Sequence, residues 1–222
     1  TRQYNGGTAA TLAGGSLTGL IGGETLSLGT SVGAYADKNA GAGKVVTVTV
    51  GALLDGTGLA SNYTLDAPTS VTGTITAKTL TWTNLAVGNK EYDGNATAAI
   101  NKGSITGYVN GEGLVSGSSA AFADKNAGNN KVVTVHTTLG NGSGGGLASN
   151  YTIADTTLTS SITPKALTVT GATAGNKVYD GNTAATISGG ALSGMIGSET
   201  VGLGALSGAF GDKNAGTSKA VT

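Results

Sequence analysis

One short stretch that returns three times constrains this chain more than any other feature. Lys177-Val178-Tyr179-Asp180-Gly181-Asn182 matches Lys90-Glu91-Tyr92-Asp93-Gly94-Asn95, and Arg2-Gln3-Tyr4-Asn5-Gly6 matches both. The three tyrosines stand 88 and 87 residues apart. A second marker keeps step with the first: Ala36-Asp37-Lys38-Asn39-Ala40-Gly41 returns at Ala123-Asp124-Lys125-Asn126-Ala127-Gly128 and at Gly211-Asp212-Lys213-Asn214-Ala215-Gly216. A third, Leu59-Ala60-Ser61-Asn62-Tyr63-Thr64, recurs once, from Leu147 to Thr152. A period near 88 residues has the size of a small domain and is too long for one coil of a solenoid. The frame predicts three modules: 1–78 without its first strand, 79–165 complete, and 166–222 C-terminally truncated. On that frame the outer modules are windows on a longer array, with missing strands supplied by continuing sequence or by a neighbouring copy adding to an open edge.

Within a module the residue pattern is that of strands. Val46, Val48 and Val50 share one face and Thr47 and Thr49 the other, the period of a half-buried strand, and Val132 to Thr137 repeats it. Leu80-Thr81-Trp82-Thr83 and Leu167-Thr168-Val169-Thr170 pair likewise, with Trp82 and Val169 at equivalent expected core sites. No window carries a capped apolar stripe at helical spacing. Threonine, valine and glycine favour strands and turns. The expected class is all-β, a tandem array of immunoglobulin-like β-sandwich modules, with Tyr63 and Tyr151 at a corner where a tyrosine hydroxyl bonds back to nearby backbone. A β-grasp module, one helix across a small sheet, is the alternative. The glycine-rich run from Gly140 to Gly146 reads as a loose, exposed loop.

Composition narrows the chemistry. With no cysteine, neither disulfides nor thiol reactions are available. Twelve basic residues balance twelve acidic ones, and charged residues make up 11%, so nothing here attracts nucleic acid or an anionic membrane surface. No apolar run approaches the roughly 18 residues of a membrane span, and membrane insertion is not expected.

Four ordered segments, Lys177–Ala185, Phe122–Gly128 with Lys131–Val135, Leu147–Ile153 and Ser161–Val169, together resemble the YDG-type repeat of large bacterial haemagglutinin-like and filamentous surface adhesins, a pattern shared by the related MBG repeats. The resemblance implies an extracellular protein of the bacterial cell surface or secreted (biofilm) matrix in which such modules are spacers. It implies no catalytic residues and no cofactor. The expected partners are neighbouring repeats of the same chain and, in a fibre, identical chains. The first copy departs from the pattern, with Asn5 where the others have Asp93 and Asp180.

That departure bears on the sharpest chemical reading of the aspartates, calcium ligation. An amide replaces a carboxylate in a turn that needs a side-chain acceptor, but weakens a cation site, so Asp93-Gly94 and Asp180-Gly181 are expected to be turn residues and no metal site is assigned. Tyr92 and Tyr179 are then expected to anchor those turns as matching, largely buried rings. Lys38, Lys125 and Lys213 each adjoin an asparagine, but adjacent residues cannot form a lysine–asparagine cross-link between strands. Asp37, Asp124 and Asp212 read as turns leading into the valine strand. His136, the only histidine, matches Thr49 and is expected in solvent. Asn62, Asn150 and Asn95 fit the glycosylation pattern, although corner and turn geometry explains them better.

Three function classes compete. A structural spacer or filament module fits the low charge and the short links Ile75–Leu80 and Ile162–Leu167. A carbohydrate- or host-binding adhesin module should present a free aromatic, and Tyr108 is the candidate. An enzyme should carry one unrepeated polar constellation, whereas each candidate here is repeated or solitary; the expectation is no enzyme.

Overall fold

Alternating valine and threonine favour strands. The computed structural model describes residues 1–222. Its regular structure is strand throughout, apart from two single 3-10 turns at Ala60–Asn62 and Ala148–Asn150. The all-β class holds. No helix is long and apolar enough to cross a membrane. The strand Gly41–Thr49 obeys the predicted alternation, burying Val46 and exposing Val45. Its counterpart Gly128–Gly140 buries Val133 and Val135 completely and exposes Val132.

The first repeat forms a mixed five-stranded sheet in the order Arg2–Gln3, Ser70–Thr76, Gly41–Thr49, Val32–Tyr35, Ala9–Ala10. The outer pair is parallel, with Arg2 opposite Ile75, and the remaining neighbours are antiparallel. The second repeat builds the same order from Lys90–Glu91, Thr156–Thr163, Gly128–Gly140, Val115–Phe122 and Thr97–Ala98. Its outer pair is again parallel, Lys90 opposite Ile162. In the third repeat Thr168–Ala174 pairs with Ile187–Ser193 and Ala184–Ala185 with Gly208–Ala209. An immunoglobulin-type pair of facing sheets is not clearly drawn by this order. The β-grasp alternative needs a helix across the sheet, and none is present.

Two compact units divide the chain: Thr1–Ala86, Ile100–Ser119 and Val135–Thr156 form one, and Val87–Ala99, Ala120–Thr134 and Thr157–Thr222 the other. Units and sequence repeats are therefore different partitions, because the second repeat gives residues to both. The core of the first unit shows why. Tyr4, Tyr35, Val46 and Ile75 of the first repeat close over Leu80 and Tyr151 of the second, all at most 6% exposed. Burying aliphatic and aromatic side chains of this size is worth roughly 1.5–3 kcal/mol each, so the shared core, not the single repeat, carries the packing energy of this unit.

Two local expectations are corrected. The Gly140–Gly146 run is not loose: Gly113 donates its N–H to the Ser143 carbonyl at 3.1 Å. A Cβ on Gly144, at φ +63°, would lie 1.8 Å from the Gly111 carbonyl oxygen, so glycine is required by close backbone approach. Trp82 is half-buried with its indole N–H donating to Thr137 Oγ1 at 3.0 Å, but its counterpart Val169 is exposed.

Candidate functional site

The repeated turns explain most of the repeated polar residues. Lys90 Nζ reaches Asp93 Oδ1 at 2.7 Å, the Asn95 carbonyl at 2.8 Å and Asn95 Oδ1 at 3.0 Å. Asp93 Oδ1 accepts the Asn95 N–H at 3.1 Å, closing an Asx turn. Lys177, Asp180 and Asn182 repeat these contacts. In the first repeat Asn5 Oδ1 takes the turn amide of Gly7 at 3.0 Å, and the Arg2 guanidinium bonds to Asn5 Oδ1. An amide therefore does in this turn what a carboxylate does in the others. The lysine beside Asp93 and Asp180, with the turn amide, holds each carboxyl below its ordinary value.

The second set of turns is built alike. Asp37, Asp124 and Asp212 accept the N–H groups of Asn39, Asn126 and Asn214. Each also pairs with a lysine seven residues on: Lys44 and Lys131, both in the following strand, and Lys219. His136 is exposed and lies 2.7 Å from Asp155.

The tyrosines lead to a feature that the motifs did not disclose. In the first unit, Tyr4 donates its hydroxyl to Glu112 Oε1 at 2.6 Å, and Lys38 Nζ reaches the same oxygen at 2.6 Å. Tyr151 donates to the other oxygen, Oε2, at 2.7 Å, while the Val109 N–H donates to the Tyr151 hydroxyl at 3.0 Å. The tyrosine of the corner therefore bonds to a turn 42 residues upstream, not to nearby backbone as expected. The Tyr151 ring meets Tyr4 edge-on at 5.5 Å and Tyr108 at 5.8 Å. Tyr108 is thus not a free aromatic. The Glu112 side chain is 3% exposed. Burial pushes its carboxyl up, but the bonds from Lys38, Tyr4 and Tyr151 outweigh that and hold it below the ordinary value. Tyr151 is pushed up to about 12 by burial, with the Val109 N–H opposing and Glu112 adding to the rise.

In the second unit Glu199 accepts the Tyr92 hydroxyl and, at 3.1 Å, Lys125 Nζ. Glu24 accepts the hydroxyl of Tyr63 at 2.6 Å, which in turn accepts the Ile21 N–H at 3.2 Å. Glu24, Glu112 and Glu199 are 88 and 87 residues apart, the spacing of the tyrosines. At each junction, tyrosine and lysine from one repeat converge on the glutamate of the next. The glycine of the tyrosine turn joins them: a Cβ on Gly6 would lie 2.7 Å from Val109 Cγ1, and one on Gly94 would lie 2.8 Å from Ile196 Cγ2. These glutamates were absent from the sequence reading although their surroundings repeat, with Gly19, Gly107 and Gly194 five residues before them, Ile21, Val109 and Ile196 three before, and Leu26, Leu114 and Val201 two after. Equal spacing was the signal that could have found them.

Burial follows the junctions. Tyr4 is 1% exposed, Tyr92 half-buried and Tyr179 60% exposed. The expected burial of Tyr179 is corrected, since no glutamate meets its hydroxyl and nothing lies within 4 Å of a Cβ placed on Gly181. The arrangement is a set of neutral and cationic donors around carboxylates, suited to holding repeats in register. No curated protein and no solved structure matches the chain. The YDG domain model matches residues 1–71, 76–158 and 163–222, nearly the whole of it, and the chain belongs to the YDG domain family.

Proposed function

We propose that this chain is a non-enzymatic structural segment of a bacterial extracellular adhesin or matrix fibre, a stiff spacer of repeats coupled in series. One observation carries the reading: the glutamate junction, in which Tyr4 and Lys38 of one repeat and Tyr151 of the next close on Glu112. Such a junction resists both bending and separation of neighbouring repeats, because bending exposes a desolvated carboxylate and separation breaks several charge-assisted bonds. The shared core around Leu80 adds to this resistance. The immunoglobulin-like module type belongs to the same reading, as the kind of unit such spacers use. Its partners are neighbouring repeats and, in a fibre, identical chains. Single-molecule pulling of the chain tests it. Unfolding in steps that span parts of two repeats supports a coupled spacer, and steps of one repeat at low force would remove the coupling. A carbohydrate- or host-binding module is the other reading, with exposed Tyr179 as its aromatic. The junction explains Tyr179 as the uncovered copy of a packing position, and a glycan array that lit up for wild type but not for Tyr179→Ala would favour binding instead.

A further inference from the structure

The second unit contains a groove of about 310 Å³ lined by Tyr92, Ala127, Leu167, Met195, Ile196 and Glu199, among others. Shifted back by one repeat, these positions are Tyr4, Ala40, Leu80, Tyr108, Val109 and Glu112. In the first unit those residues surround one segment, Asn150-Tyr151-Thr152. Asn150, fully buried, accepts the Ala40 N–H at 2.8 Å and donates to Asn39 at 3.0 Å. Tyr151 runs parallel to Lys78, and the Leu80 N–H donates to the Thr152 carbonyl at 2.7 Å. The Tyr151 ring fills the space between Tyr4 and Tyr108, its hydroxyl between the Val109 amide and Glu112 Oε2.

The groove repeats the polar half of that site as well. Glu112 receives Tyr4 and Lys38 on Oε1 and keeps Oε2 for Tyr151. Glu199 receives Tyr92 and Lys125 on Oε1 alone. The turn that presents the tyrosine-binding amide is also reproduced, with the Glu199 N–H on the Ile196 carbonyl at 3.1 Å as the Glu112 N–H is on the Val109 carbonyl at 3.0 Å. We propose that this groove is a receptor for an extended Leu-Ala-Ser-Asn-Tyr-Thr segment, bound by strand addition alongside Lys165–Leu167 with its tyrosine hydroxyl on Glu199 Oε2. The inference deepens the spacer reading by naming how a repeat captures the next tyrosine segment. It does not stand or fall with that reading, because the binding test involves no force and no surface context.

A peptide with the sequence of Gly146–Ile153 is the probe, titrated into the intact protein while the methyl resonances of Met195 and Ile196 are followed by NMR. Saturable shifts at both methyls are expected, and the peptide with phenylalanine in place of tyrosine should bind about tenfold more weakly, the effect of one hydrogen bond to a charged acceptor. Because this substitution is in the peptide, the protein's fold is not at stake. No shift at millimolar peptide, or equal binding of an unrelated apolar peptide, overturns the proposal.

Discussion

At the scale of single residues, Glu112 is the most consequential side chain, because three donors converge on a nearly buried carboxylate. Glu112→Gln keeps the shape but leaves Lys38 without its counter-charge and weakens both tyrosine bonds. A loss of about 2 kcal/mol is expected, read as a shift in the urea midpoint. Its pH dependence has a defined sign. The folded value lies below the ordinary one, so the stabilisation is present above the usual carboxylate range and disappears as pH falls through the depressed value. The exposed turn aspartates share that acid limb. The difference between wild type and Glu112→Gln therefore isolates the junction, and a constant difference from neutral pH down to acid would contradict the assignment. At the alkaline end the direction reverses. Tyr151, raised to about 12, together with Tyr4 and Lys38, also raised, stabilises below the ordinary tyrosine value of about 10 and ceases to do so as pH rises through the folded values. Calorimetry should show the wild-type melting point dropping above about pH 10 more steeply than that of Tyr151→Phe.

At the scale of elements, the tyrosine turn is one sequence placed in two environments. Gly94 and Gly181 have nearly the same left-handed backbone, φ +80° and φ +78°, but a Cβ meets Ile196 at the first and open space at the second. Gly181→Ala should cost only the backbone strain, about 1 kcal/mol. Gly94→Ala adds overpacking of roughly 1–3 kcal/mol, and equal melting points for the two variants would mean that the contact with Ile196 bears no load. Much of this level was legible in the sequence. The Asx turns follow from Asp-Gly and Asp-Lys-Asn, the tolerance of Asn5 follows from what a turn needs, and the valine strands follow from alternation. The junction was not read from the sequence: Glu112 shares a glycine five residues before it and an aliphatic residue three before it with Glu24 and Glu199, but nothing in that pattern names its partners, which lie 108, 74 and 39 residues away. Tyr108 misled for the same reason: only the fold puts it against Tyr151. A further expectation belongs to these turns. Since Lys90 and Lys177 already neutralise Asp93 and Asp180, millimolar calcium or EDTA should leave the melting curve unmoved, and a rise with calcium would show oxygen ligands that the turn geometry does not suggest.

At the scale of the whole molecule, stability is organised across repeat boundaries. In a nearest-neighbour array each repeat has its own stability and a coupling to the next. Here the coupling reaches into the core, because Leu80 of the second repeat is 2% exposed among Tyr4, Tyr35, Val46 and Ile75 of the first. The sequence frame, with boundaries drawn from motif spacing, held no trace of this: spacing reports where a pattern repeats, whereas packing decides which copies share a core. Leu80→Ala is the discriminating substitution. It removes about 2–5 kcal/mol as a buried Leu→Ala change does, and the loss should spread through the first unit. Native-state hydrogen exchange should therefore lose protection in the strands Gly41–Thr49 and Ser70–Thr76, which precede the mutated residue and belong to another repeat by sequence. The parallel pairing of Tyr151 with Lys78 should weaken with them, since the Leu80 amide that follows it holds Thr152. Protection lost only between residues 79 and 165, with Gly41–Thr49 and Ser70–Thr76 unchanged, would mean that each repeat folds for itself and that the shared core contributes little to the coupling.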